Sequence, residues 1–168
     1  DITAGIKQMD GIPVVTTGEV PLRIDRETVL AKFTQVWDFE LGGRTGAPKF
    51  PMPVNLLYLL RNYHYTKNQQ ALQAAQITLD GMMNGGIYDQ MGGGFARYSV
   101  DEYWTIPHFE KMLYDNAQLV SVYAEAYQLT RNPRYKEVVY ETLDFVEREL
   151  SDPAGGFYSA LDADSEGE

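Results

Sequence analysis

The chain of 168 residues contains no cysteine. Disulfides, thiol nucleophiles and thiolate metal sites are therefore excluded within it. Histidine is nearly absent as well. His64 and His108 are the only two, and no H-x-x-x-H or comparable ligand spacing occurs. No metal and no cofactor is expected. Basic residues are scarce against acidic ones, 14 to 24, which leaves a net charge of -10. Nucleic acids and anionic membrane surfaces are held by lysine and arginine, so neither is an expected partner. No run approaches the roughly 20 apolar residues of a spanning helix. The opening DITAGIKQMD lacks both the basic and the apolar parts of a secretory signal, and the cytoplasm is the expected location. A phosphate loop is missing too. The glycines of GGIYDQMGGG follow a helical pattern and lack a G-K-[ST] ending.

Apolar residues make up 44% and charged residues 23%, an ordinary globular balance. A domain of this length buries roughly 70% of the surface its unfolded chain exposes. Residues 1–24 carry Gly5, Gly11, Pro13, Gly18 and Pro21, too closely spaced for a helix, and read as a linker or arm. Five helices follow. Asp25 caps the first, over about 26–39, with Val29, Leu30, Phe33, Val36 and Trp37 at helical spacing. The second, about 54–63, has almost no polar face. The third, about 68–83, has one apolar stripe. The fourth, about 108–129, is again apolar on most sides, and the fifth, about 133–150, starts at Pro133 and is one-faced.

The alternation predicts layers, with helices two and four inside and one, three and five outside. A plain bundle with glycine caps is the alternative. A weak repeat supports the layers: glycine pairs at 42–43, 85–89 (GGIYD) and 155–159 (GGFYS) each follow an outer helix. The glycine loops then share one end, beside the inner-helix N-termini, where free N–H groups and a positive dipole end suit an anionic or hydroxyl-rich ligand.

The densest loop runs from Gly85 to Tyr114 and contains His108. Histidine ordinarily titrates near neutral pH and serves as a general base or acid. His108 follows Pro107 at the expected mouth of helix four; a histidine satisfying loop carbonyls is the structural alternative. Asp89 ends the second repeat, while Asp162 and Asp164 lie in the third. Two carboxylates facing each other across a sugar are the machinery of glycosyl transfer. Aspartate also favours loops for purely structural reasons. Tyr88 and Trp104 supply rings that stack on sugars or simply pack. Arg97 and Lys111 suit the oxygens of a polar ligand, although Arg97 has acids nearby to pair with.

Residues 85–119, GGIYDQMGGGFARYSVDEYWTIPHFEKMLYDNAQL, closely resemble the family of spermatogenesis-associated protein 20 and its bacterial relatives. WDFELGGRTGAPKFP at 37–51 and GGFYSALDADSEGE at 155–168 match it too. The resemblance implies an all-α fold, an incomplete (α/α)6 toroid like that of N-acylglucosamine 2-epimerases and six-hairpin glycosidases. Residues 25–168 would be its first part, and 1–24 the linker from a thioredoxin-like domain. It further implies a sugar-directed activity, epimerase-like or glycosidase-like, with a carbohydrate ligand and the rest of the polypeptide as partners. His108, Asp89 and Asp162 would be catalytic, and Tyr88, Arg97, Trp104, Lys111 and Asp164 would bind substrate. A non-catalytic helical scaffold attached to a thioredoxin-like domain is the alternative.

Overall fold

The computed structural model describes residues 25–164, so the expected linker over 1–24 lies outside the described residues. The described residues form five helices: α1 (Arg26–Thr34), α2 (Pro53–Thr66), α3 (Gln69–Asn84), α4 (Leu113–Thr130) and α5 (Pro133–Glu149). Two short strands, β1 (Lys111–Met112) and β2 (Ala160–Leu161), pair antiparallel, with Lys111 opposite Leu161. Asp25 caps α1 through its side chain, as its type and place predict.

Two α-hairpins repeat. The turn from α2 to α3 reads Thr66-Lys67-Asn68 and that from α4 to α5 reads Thr130-Arg131-Asn132. In each the basic residue is left-handed, at φ 59° and 60°, and its N–H donates to a tyrosine carbonyl four residues back. In each the threonine hydroxyl accepts the asparagine N–H at 3.2 Å. Each asparagine side chain then caps the next helix, at 3.1 Å in both cases. Like local sequences make like turns.

α2 packs against both α3 and α4, and α5 packs against α4. Helices two and four are thus the inner pair, each backed by its own outer partner. Leu56, Leu59, Leu60, Leu79, Met82, Leu119, Val122 and Tyr123 fill the space between them. This is an incomplete (α/α)6 toroid. The inner helices are not buried all round, as their composition suggested. Val54, Arg61 and Tyr65 on α2, and Tyr114, Ala117 and Ser121 on α4, form open stripes. No described element covers that side of them.

Two boundaries move. α1 stops at Thr34, and Trp37 turns inward to donate its indole N–H to the Ala74 carbonyl. α4 starts at Leu113 rather than near 108, because the residues before it are extended: His108 N–H donates to Tyr98 O, and Leu113 N–H to Ser159 O. Among the described residues no helix is long and apolar enough to cross a membrane.

Candidate functional site

Three glycine turns stand at one end of the helices, and the first two are alike bond for bond. Asp38 N–H donates to Gly43 O at 2.8 Å, and Gly42 N–H donates back to Asp38 O at 3.0 Å. Asp89 with Gly94 and Gly93 does the same, at 3.0 and 2.9 Å. Both glycine pairs have φ between 73° and 79°, a region that glycine enters freely. The Asp38 Oδ1 atom accepts the N–H groups of Glu40 and Leu41; Asp89 Oδ1 accepts those of Met91 and Gly92. Lys49 Nζ reaches Asp38 Oδ2 at 2.7 Å and Gly42 O at 2.6 Å. Lys111 Nζ reaches Asp89 Oδ2 at 2.8 Å and Gly93 O at 2.9 Å. The structural repeat is therefore an aspartate, a glycine pair and a lysine clamp. The glycines equivalent to 42–43 are 93–94, not the 85–86 pair that the sequence repeat singled out. Gly85 and Gly86 serve instead to let the backbone of Trp104 and Thr105 pass.

This equivalence decides what Asp89 and Lys111 do here. Burial alone would raise the Asp89 carboxyl, but the Lys111 ammonium and the Gly92 and Met91 N–H groups outweigh it and hold it at about 2. It is an ionised fastening of the turn, and Lys111 is its counter-ion. The two aromatic candidates are also structural. Trp104 is 1% exposed and donates its indole N–H to Leu41 O at 2.7 Å. Tyr88 is 2% exposed and donates its hydroxyl to the Glu141 carboxylate. Both rings are enclosed among the described residues, where they pack rather than present a face.

A different group of side chains lines the rim where the loop turns into α4. Arg97 N–H donates to Glu110 O, and its guanidinium meets Glu110 Oε2 at 2.8 Å. The His108 ring stacks on Tyr98 at 4.6 Å, and Phe50 lies 4.8 Å from the other partner of that stack, Tyr98. His108 sits five residues before α4 rather than at its mouth. Its Nδ1 atom is buried with no hydrogen-bond partner. Asp115 occupies the first turn of α4. Burial pushes its carboxyl up to about 6, with Arg97 pulling it down and Glu110 pushing further up. Phe109 and Tyr114 stand exposed beside these groups.

The third loop reaches the same rim. β1 pairs with β2 so that Asp162 follows Leu161 on the Glu110 side of Lys111. Its Oδ1 accepts the Asp164 N–H at 3.3 Å, and both carboxylates are exposed. The structure thus brings Arg97, His108 and Asp162 of the expected set to one rim and assigns Asp89, Lys111, Tyr88 and Trp104 to the scaffold beneath. Asp115, Glu110 and the Phe50–Tyr98 stack were not foreseen. With helix four read from 108, Asp115 fell in mid-helix and lost the first-turn position that marks it. A separate groove of about 390 Å³ lies at the opposite end of the inner helices, between Arg61, His64, Glu125 and Gln128. His64 is therefore remote from the rim. No group of three or more histidine, aspartate or glutamate side chains among the described residues is arranged to hold a metal ion.

No family model matches the chain. The fold is shared with a sugar epimerase from a ruminal bacterium, at TM-score 0.70 and 18% identity over 80% of this chain and 37% of that one. It is shared equally with the cellobiose 2-epimerase of Spirochaeta thermophila, at TM-score 0.69 and 25% identity over 79% and 36%. Spermatogenesis-associated protein 20 of Homo sapiens is 50% identical over 133 residues, 77% of this chain and 17% of its own length. The chain thus spans about a sixth of that relative. At 50% identity, these 133 residues match one part of the spermatogenesis-associated protein 20 family.

Proposed function

We propose that this segment supplies one wall of a carbohydrate site, in a protein that epimerises a sugar or hydrolyses a glycosidic bond. The observation that carries the reading is the gathering of Arg97, His108, Glu110 and Asp115 at the glycine-loop end of the inner helices, in a fold shared with a cellobiose 2-epimerase. Each group has a role that its surroundings suit. His108, with an unpartnered Nδ1, is the proton carrier. Asp115, raised to about 6, keeps a share of its protons below neutral pH and serves as the acid, while Asp162 is the second carboxylate, from the third loop. Arg97 and Asp164 orient hydroxyl groups, and the exposed rings of Phe109 and Tyr114 stack on sugar faces. The segment covers about a third of each epimerase it resembles, so other parts of the polypeptide complete the wall.

The test uses the full-length protein and a panel of mono- and disaccharides, with products followed by NMR. Turnover is expected, and His108→Gln should lower kcat by about 10²–10⁴-fold, the usual worth of a positioned acid or base. The melting temperature should barely move. No binding and no turnover across the panel, with the protein folded, would overturn the reading. The scaffold alternative would then stand. One observation favours it: Asp89, one of the acids expected to be catalytic, repeats the fastening role of Asp38.

A further inference from the structure

The third glycine turn repeats the first two but is incomplete. Asp152 N–H donates to Gly156 O at 3.1 Å, and Gly155 N–H donates back to Asp152 O at 2.8 Å. The Asp152 Oδ1 atom accepts the Ala154 N–H at 2.7 Å. Gly155 and Gly156 have φ of 101° and 91°, and Ser151 bridges to Phe157 as Trp37 does to Arg44 and Tyr88 to Phe95. Two parts of the pattern are missing among the described residues. The first is the lysine. The second is the seat beneath the glycines.

Each earlier turn rests on the outer helix that comes next. A Cβ at Gly42 would overlap the Thr78 backbone on α3, and one at Gly93 the Glu141 carbonyl on α5. Among the described residues nothing lies within 4 Å of the same position at Gly155 or Gly156. Phe157 and Tyr158, which follow, are exposed, as is Leu143 on α5. The lysines obey a rule too. Lys49 lies four residues before α2 and Lys111 two before α4, so each clamp comes from the strand-like segment that leads into the next inner helix. The relatives extend well beyond this stretch, which covers 17% of the human protein.

We infer that Asp152, Gly155 and Gly156 form the docking site for a further helical hairpin of the same polypeptide. Its approach segment brings a lysine to Asp152 Oδ2 and Gly155 O, and its outer helix lies flat against the two glycines. The site offers a carboxyl group and a carbonyl, with a glycine surface that admits a backbone closely. That selects an ammonium on a long, flexible arm next to a helix whose backbone comes close to the glycines, as at Thr78 and Glu141. It also distinguishes Asp152 from the loop acids Asp162 and Asp164: it is a fastening and not part of the rim.

The test is carbodiimide labelling of carboxylates in the full-length protein, read by mass spectrometry. Asp152 should react as slowly as Asp38 and much more slowly than the exposed Asp144, at every protein concentration over a hundredfold range. Asp152→Asn should lower the melting temperature about as much as Asp89→Asn does. Labelling of Asp152 at the rate of Asp144 would overturn the inference. So would protection that disappears on dilution, which would make a second copy the occupant, and so would an Asp152→Asn protein that melts as the wild type does.

Discussion

Asp89 accepts the Lys111 ammonium and two amide N–H groups, whereas Asp115 sits beside Glu110 with the Arg97 guanidinium already bound elsewhere. The two carboxylates bound the same glycine-rich segment, yet one is held at about 2 and the other at about 6. The contrast separates the segment into two regions. Residues 88–95 are closed by their own hydrogen bonds and by α5, and they fasten the hairpins together. Residues 97–115 are open on one side and keep polar groups in unsettled surroundings. A site needs the second kind of environment, and it stands rigidly only on the first.

The largest effect should come from breaking the fastening at its tightest point. Gly93→Val puts a β-branched residue at φ 74° and drives its Cβ into the Glu141 carbonyl. Backbone strain of this kind costs about 1–3 kcal/mol, and the overlap adds a comparable amount. Gln90→Ala nearby loses the bond from Nε2 to Met83 O at 2.8 Å and two longer ones to Gly85 O and Tyr88 O, together worth about 1 kcal/mol. Thermal unfolding of the two variants should differ by many degrees. Equal shifts would mean that the turn is not the rigid region and would erase the distinction.

Much of this was legible in the residues, and the failures have physical causes. Helices α2, α3 and α5 were read to within a few residues, because periodic apolar positions and the Pro133 start mark them locally. The layering followed from α2 and α4 having too few polar residues for a surface. The repeat was visible but out of register. Glycine pairs at 85–86 and 93–94 look alike in sequence, and only the pairing of Asp89 with Gly94 identifies the second as the equivalent. The lysine clamps were not legible at all, since Lys49 follows its aspartate by eleven residues and Lys111 by twenty-two. Asp115 was missed for a related reason. Extended residues 107–112 are held by partners at Tyr98 and Ser159, distant contacts that no local pattern announces.

The next effect in size concerns the Asp89–Lys111 pair. The folded carboxyl lies at about 2, below the 3.9 or so of an unfolded chain. Its contribution is therefore complete above about pH 4 and is lost as the pH falls towards 2. The Asp89 side chain is 39% exposed, so solvent screens the pair and its worth is roughly 1–2 kcal/mol rather than the full shift. Asp89→Asn and Lys111→Met should each lower the melting temperature at pH 7 by similar amounts. The difference from wild type should shrink at pH 2.5. A difference that stays constant down to that pH would show that the charge plays no part.

The smallest effect on stability has the opposite sign, and it sharpens the comparison most. Asp115 carries a folded value of about 6, above its unfolded one. Between about pH 4 and 6 the folded state holds a proton that the unfolded state has released, so stability falls as the pH rises through that window. Above it, the half-buried ionised carboxylate is a standing cost, to which Glu110 adds and which Arg97 and solvent screening reduce to about 1 kcal/mol. Asp115→Asn replaces the neutral form permanently. It should melt like the wild type near pH 4 and at a higher temperature at pH 8. If Asp115 is also the acid of a sugar site, the same variant should lose turnover while gaining stability, as expected where function keeps a group in an environment that folding would not choose. Melting curves that respond to pH identically in the two proteins would return Asp115 to the ordinary carboxylate range, and with it the distinction between rim and fastening.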